Sequence, residues 1–425
     1  MKICRLSDME RSKILRRSDK ISEASETVRT ILDTVRREGD SALISYTKKF
    51  DGVDISSIRV SDEEIREALS SVEPEFIAVL EKAAERIRDY HRRQKREGYI
   101  ISENEGIVLG EKIVPLKRVG IYVPGGSAAY PSTVLMDSIP ASVALCPEIV
   151  MVTPPSKDGR VNPNVLAAAS IAGVNEIYKV GGAQAVAALA YGTETIRRVD
   201  KITGPGNVFV QEAKRLVSST VAIDMTAGPS EILIIAEDGS SPEVLASDLL
   251  GQAEHDRNAT SILLCTSEKL AEDVSKEVER QLSLLPRRDI ASASILNNGK
   301  IIVCDSIDEA VALSNEIAPE HLELFLSDPF PELSKVKNAG SVFLGKYSPE
   351  ALGDYMAGPN HTLPTNGSAR FSSPLGVDDF VKRIQFTYYT REALEKDADP
   401  VALFARKEGL EGHARSALSR REYNE

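Results

Sequence analysis

Two histidines of this chain stand beside partners that suit them for chemistry. His255 follows Gln252 by three residues in GQAEHDRNAT, and His321 directly follows Glu320 in IAPEHLELFL. A neighbouring carboxyl and imidazole can share proton transfers, because the environment can tune both toward neutral pH. The Glu320 and His321 pair stands immediately before an apolar strand, a location where open α/β folds place reactive groups, and a purely structural pairing is the competing reading. Gln252 and His255 fall on one face of a helix end. There they can offer an amide oxygen and an imidazole nitrogen to one cation, or simply cap the helix. Glutamine is an uncommon zinc ligand and the chain has no H-E-x-x-H, so spacing leaves both readings open.

Further candidates lie downstream. Asp354 belongs to LGDYMAGPNHTLPT, an irregular loop rich in Gly, Pro and Asn of the kind that carries sites, with His361 seven residues on. Glu408 and His413 sit in KEGLEGHARSA near the C-terminus, where surface residues are the ordinary expectation. His91, among Arg92, Arg93 and Lys95, reads as a surface residue badly placed to attract a cation. Of four cysteines, Cys146, Cys265 and Cys304 lie in or beside apolar runs and read as buried thiols, a usage that fits a reducing cytosol; Cys4 is the fourth.

These residues need elements to hold them. Between Val119 and residue 192, short apolar strands alternate with helices: VGIYVP, STVLMDSIPASVAL, EIVMVT, PNVLAAASIAGV, EIYKVGG and AQAVAALAYG. That alternation predicts a parallel sheet covered on both faces. A second such series starts at Ser230 with SEILIIAED and runs through TSILLCT, HLELFL and SVFLG. Before them, SETVRTILDTVRREGD places Val28, Ile31, Leu32 and Val35 at helical spacing, and EPEFIAVLEKAAERIRDYHRRQ is a longer amphipathic helix. After about Ser373 the chain reads as polar and helical, too poor in apolar residues to fold alone. Three glycine turns, YVPGGS (122–127), VGGAQ (180–184) and TGPGN (203–207), stand at strand ends of the first series. None is a G-x-G-x-x-G fingerprint and each can be a tight turn. Three together favour a nucleotide or another anion.

With 425 residues, 42% of them hydrophobic, the chain exceeds what one core holds, since single cores stop growing near roughly 250–300 residues. A net charge of −12 argues against nucleic-acid or anionic-membrane partners. No targeting signal and no run of eighteen uncharged apolar residues is visible, so a soluble cytoplasmic protein is expected.

Ten ordered blocks spanning nearly the whole chain resemble the histidinol dehydrogenase family. Among them are VGIYVPGGSAAYPSTVLM, VGGAQAVAALAYGT, DKITGPGNVFV, IDMTAGPSEILIIAE, DLLGQAEHD, APEHLEL, GDYMAGPNHTLPT and EGLEGHARSA. The resemblance implies two tandem-like α/β domains with incomplete Rossmann-type parallel sheets, a small N-terminal helical segment and a C-terminal helical tail. The expected boundaries are 1–17 for the N-terminal segment, 18–121 with 232–374 for the first α/β domain, 122–231 for the second, and 375–425 for the tail. It further implies one zinc ion per subunit on Gln252, His255, Asp354 and His413, and an acid and base pair at Glu320 and His321. Ser230 and Glu408 would join these residues in binding substrate, with NAD against Tyr122, Gln184 and Asn207. The implied reaction oxidises L-histidinol to L-histidine through an aldehyde, in a homodimer with shared active sites whose tail crosses to its partner. A related zinc and NAD dehydrogenase acting on another small polar alcohol is the alternative.

Overall fold

The computed structural model describes residues 1–11, 24–125, 129–421 and 423. Residues 12–23, where the expected N-terminal segment meets the first α/β domain, and Gly126 and Ser127 of the first glycine turn lie outside the described residues. The chain divides into two units: Met1–Gln94 with Lys117–Phe380, and Lys95–Leu116 with Val381–Glu425.

The first unit holds two parallel sheets. In one, β4 (Arg118–Tyr122), β5 (Glu148–Thr153), β6 (Glu176–Lys179), β7 (Lys201–Thr203) and β8 (Ala222–Ile223) stand in the order β6-β5-β4-β7-β8. In the other, β1 (Lys2–Arg5), β9 (Glu231–Ala236), β10 (Thr260–Cys265), β11 (Lys300–Val303), β12 (His321–Phe325) and β13 (Ser341–Leu344) stand in the order β1-β11-β10-β9-β12-β13. With β1 set aside, both sheets run third, second, first, fourth, fifth in their own chain order. That is the Rossmann order lacking its sixth strand. The two modules expected in tandem thus share a topology.

Continuous apolar runs form these strands because both faces are covered. Along EILIIA of β9, Ile232 and Ile234 enter one core with Leu245 and Leu249, while Leu233 and Ile235 enter another with Leu313 and Ile317. The period of two thus distributes one strand between two cores. The first core is covered by α7 (Pro242–Ala253), α8 (Glu268–Leu282) and α9 (Arg288–Asn298), and the second by α10 (Ile307–Ile317). On the five-stranded sheet, α5 (Gly182–Tyr191) and α6 (Val208–Val217) pack with Val28, Ile31, Leu32 and Val35 of α1 (Ser25–Glu38). At the amino ends of three adjacent strands, the buried Arg118 of β4 pairs with Glu148 of β5 and Glu176 of β6, each at 2.5 Å.

Three expectations are corrected. The described N-terminal residues open on a strand rather than a helix. Lys2 to Arg5 run parallel to β11, from Lys2 opposite Lys300 to Arg5 opposite Val303, and so pair the backbone of an otherwise open sheet edge. The tail is not helical throughout, since VKRIQFTYY forms β14 (Val381–Tyr389), rich in β-branched and aromatic residues. His91 is fully buried rather than exposed. It ends the stripe Leu80, Ala83, Ala84 and Ile87 on α2 (Pro74–Arg92), and its Nδ1 lies 2.7 Å from Gln94 Oε1.

The second unit is a three-stranded antiparallel sheet, with β3 (Ile107–Pro115) between β2 (Tyr99–Ile101) and β14, followed by helices α12 (Arg391–Lys407) and α13 (Glu411–Leu418). It exposes much apolar surface, including Ile100 at 71% and Phe404 at 69%. Among the described residues no helix is long and apolar enough to cross a membrane.

Candidate active site

Glu320 and His321 occupy the amino end of β12, both buried, and the backbone of Glu231 at the start of β9 orients the two. The Glu231 N–H donates to Glu320 Oε2 at 2.8 Å, and the Glu231 carbonyl lies 3.0 Å from His321 Nδ1. A carbonyl only accepts, so Nδ1 carries the hydrogen and Nε2 is left with its lone pair. Burial drives both groups toward neutrality: it raises the Glu320 carboxyl well above its usual range and lowers His321 to about 4. The pair therefore sits at a strand's amino end. That is the opposite end of the strand from the one where open α/β sheets usually take their ligands.

Ser230, Gln252, His255, Glu320, His321 and Asp354 line one basin of about 840 Å³. Ser230 immediately precedes β9, and its carbonyl accepts the Thr260 N–H that leads into β10. Gln252 lies in the last turn of α7 and His255 just beyond it. The capping reading of Gln252 fails, because both polar atoms of its buried amide lack a protein partner. Asp354 does not lie in a loop but in the short helix α11 (Glu350–Tyr355). Gly353 lets that helix lie close on the sheet: a Cβ there would fall 2.7 Å from the Phe343 ring.

His255, Glu350 and Asp354 each offer a ligand atom, and these atoms lie within 4.8 Å of one another. With the unpartnered Gln252 amide beside them in the basin, this mixed nitrogen and oxygen set suits zinc, with no cysteine involved. Sequence reasoning missed Glu350. Its signal was the acid pair four residues apart in EALGD, which puts two carboxylates on one helix face. Burial, with Asp354 nearby, raises Glu350 to about 8. Burial also opposes charge on Asp354, but the hydrogen bond and charge of His361 outweigh it and hold Asp354 low. His361 Nδ1 lies 3.5 Å from Asp354 Oδ1, and although burial alone would lower its pKa, Asp354 leaves it raised. His361 thus lines the basin beside a candidate ligand.

Tyr122, Gln184 and Asn207 line a second cavity, of about 1050 Å³, at the carboxyl ends of the five-stranded sheet. The order of that sheet reverses between β4 and β7, where Tyr122 ends one strand and Gly204 follows the other. Such a switch point is where open sheets take nucleotides. The Tyr122 hydroxyl accepts the Gly182 N–H at 2.9 Å, Asn207 caps α6, and Gln184 keeps a buried amide oxygen unpartnered. The two cavities share Thr27, Pro124, Asn207 and Phe209.

Comparison with known proteins decides the family. The histidinol dehydrogenase sequence profile matches residues 14–421. The chain belongs to the histidinol dehydrogenase family. It is 54% identical to the histidinol dehydrogenase of Clostridium acetobutylicum over 93% of this chain and 92% of that one. The enzyme of Geobacillus kaustophilus is 53% identical over 95% of each. A crystal structure of histidinol dehydrogenase from Elizabethkingia anophelis superposes with a TM-score of 0.93 at 42% identity, covering 99% of this chain and 98% of that one. Membership of the histidinol dehydrogenase family makes the chain an oxidoreductase. Glu408 and His413 belong to the second unit, where both are exposed, Glu408 just after α12 and His413 within α13. The three cysteines read as buried are so, and burial raises the thiols of Cys265 and Cys304, the latter to about 12. They are poor nucleophiles there.

Proposed function

We propose that this chain is a zinc-dependent, NAD-linked dehydrogenase that oxidises L-histidinol through L-histidinal to L-histidine, the last two steps of histidine biosynthesis. One observation carries the reading: the Glu320 and His321 pair shares a basin with Gln252, His255 and Asp354, and that basin meets the cleft of Tyr122 and Gln184 at Asn207. The names of its relatives supply the substrate.

His321 Nε2, held neutral by burial, takes the proton of the alcohol in the first oxidation. Between the oxidations a water must add to the aldehyde. In its ionised form Glu320, whose affinity for a proton burial raises, takes a proton from that water, and His321, once it has released the alcohol's proton to solvent, takes one from the hydrate. NAD against Tyr122, Gln184 and Asn207 supplies the two-electron acceptor for each oxidation. Gln252, His255 and Asp354, with His413 from a second copy of the chain, would hold zinc, which would supply orientation of the polar substrate. Ser230, and Glu408 from the second copy, close the pocket.

A homodimer with shared active sites and one zinc per subunit is part of the reading. It is supported by the apolar surface that the second unit leaves exposed at Ile100, Tyr388, Leu403 and Phe404. The cytoplasm is the compartment inferred, because the four cysteines form no disulfide among the described residues. NADH released by the zinc-loaded protein from L-histidinol tests the whole. Two NADH per substrate are expected; one, or none, overturns the reading.

A further inference from the structure

Lys214 is fully buried, and the reading above gives it no task. It lies on α6, seven residues after Asn207, and pairs with Asp224 at 2.5 Å, both side chains being 1% exposed. This ion pair holds a single residue, Gly204, by both its backbone N–H and its carbonyl. Lys214 Nζ donates to the Gly204 carbonyl at 2.8 Å, and the Gly204 N–H donates to Asp224 Oδ2 at 2.8 Å. Asp224 Oδ1 also accepts the Met225 N–H at 2.6 Å.

Gly204 opens the TGPGN turn directly after β7. Its φ of +113° belongs to glycine, and a Cβ there would stand 2.1 Å from the Tyr122 carbonyl oxygen. The turn is therefore pressed against the end of β4, where Tyr122 lines the cofactor cleft. One turn of helix before Lys214, Gln211 reaches from α6 to the Gly206 carbonyl at 3.4 Å and accepts the Ala227 N–H at 2.9 Å. Two side chains of one helix thus tie the turn whose last residue is Asn207. Lys214, Asp224, Gly204 and Gly206 also line the substrate basin, while Asn207 borders both cavities.

We infer that the buried Lys214–Asp224 ion pair is a positioning device: through the Gly204 backbone it sets the height of the TGPGN turn, and with it the seating of the NAD cofactor over the substrate basin. The inference rests on the reading of this cleft as the NAD site. Lys214 acts in this role through the Gly204 backbone, so its loss should weaken NAD binding while leaving zinc in place.

The test uses the full chain as Lys214→Met and as Lys214→Met with Asp224→Asn. The double variant removes the uncompensated buried charge that a single loss leaves, and it keeps an oxygen for the Gly204 N–H. Calorimetric titration with NAD, the KM for NAD, and zinc content are measured on each folded protein. Expected for the double variant is an NAD Kd raised about tenfold or more, the scale on which misplacement acts, with zinc content as in the parent. NAD binding equal to the parent's overturns the inference. So does failure of the double variant to fold, which would assign the pair to the core alone. A parent protein that binds no NAD fails the functional reading instead, before any variant is compared.

Discussion

At the scale of single residues, the proposed chemistry depends on an imidazole whose tautomer is set by a backbone carbonyl. Because the Glu231 carbonyl holds Nδ1–H, an asparagine at position 321 can keep that hydrogen bond but presents no basic nitrogen. His321→Asn is expected to retain zinc and substrate while slowing both oxidations by roughly 10²–10⁴-fold, the usual range for a lost general base. Metal content and single-turnover NADH formation check this; loss of metal with surviving chemistry would overturn the assignment. Glu320→Gln keeps an oxygen for the Glu231 N–H but cannot take a proton from water. Oxidation of added L-histidinal should then suffer more than oxidation of L-histidinol, and equal losses would refute a role for Glu320 in the water step.

Among the elements, α11 is the one whose placement the ligand set needs, and Gly353 is its contact point with β13. An added methyl would meet the Phe343 ring at 2.7 Å, and that side chain is itself buried. Gly353→Ala is expected to cost about 1–3 kcal/mol of stability, as overpacking does. It should also lower zinc affinity by displacing Asp354, measured by thermal unfolding and competition with a chelator; unchanged zinc affinity would mean that α11 tolerates the shift. The strands carry an electrostatic counterpart in Glu176. Burial opposes its charge, but Arg118 and Tyr178 outweigh that and lower its pKa to about 2. In the folded protein it gives up its proton more readily than when unfolded. Its stabilisation is thus complete above the ordinary carboxyl range near 4.5 and is lost as pH falls toward 2. Glu176→Gln should flatten the pH dependence of denaturant stability across that window, and an unchanged slope would exclude this contribution.

For the whole molecule, the proposal that sites are shared between subunits can be tested without a structure of the dimer. His255→Ala and His413→Ala should each be inactive alone. If each site takes His255 from one chain and His413 from the other, a heterodimer of the two variants keeps one intact site. Mixing the unfolded variants and refolding them together should then restore about a quarter of the parent activity per subunit, for a statistical mixture of dimers. No recovery in a mixture proven to contain heterodimers would place both residues in sites built by a single chain.

The sequence by itself determined the local layer: EILIIA and TSILLC could only be strands buried on two faces, and the turns at 180–184 and 203–207 had to follow strands. It also carried the family, because the ordered blocks belong to a match that spans residues 14–421. What it could not supply was convergence. Glu350 joined His255 and Asp354, and Glu231 oriented Glu320 and His321, only because parallel pairing sets β9 beside β12 across some ninety residues of chain. Local spacing carries no information on such distances. His91 was misread for the same reason: its neighbours in sequence are arginines, whereas its burial depends on what packs against one face of α2. The amino-end location of the reactive pair likewise follows from the tertiary structure alone, since strand direction in a sheet decides which ends of its strands border a cavity.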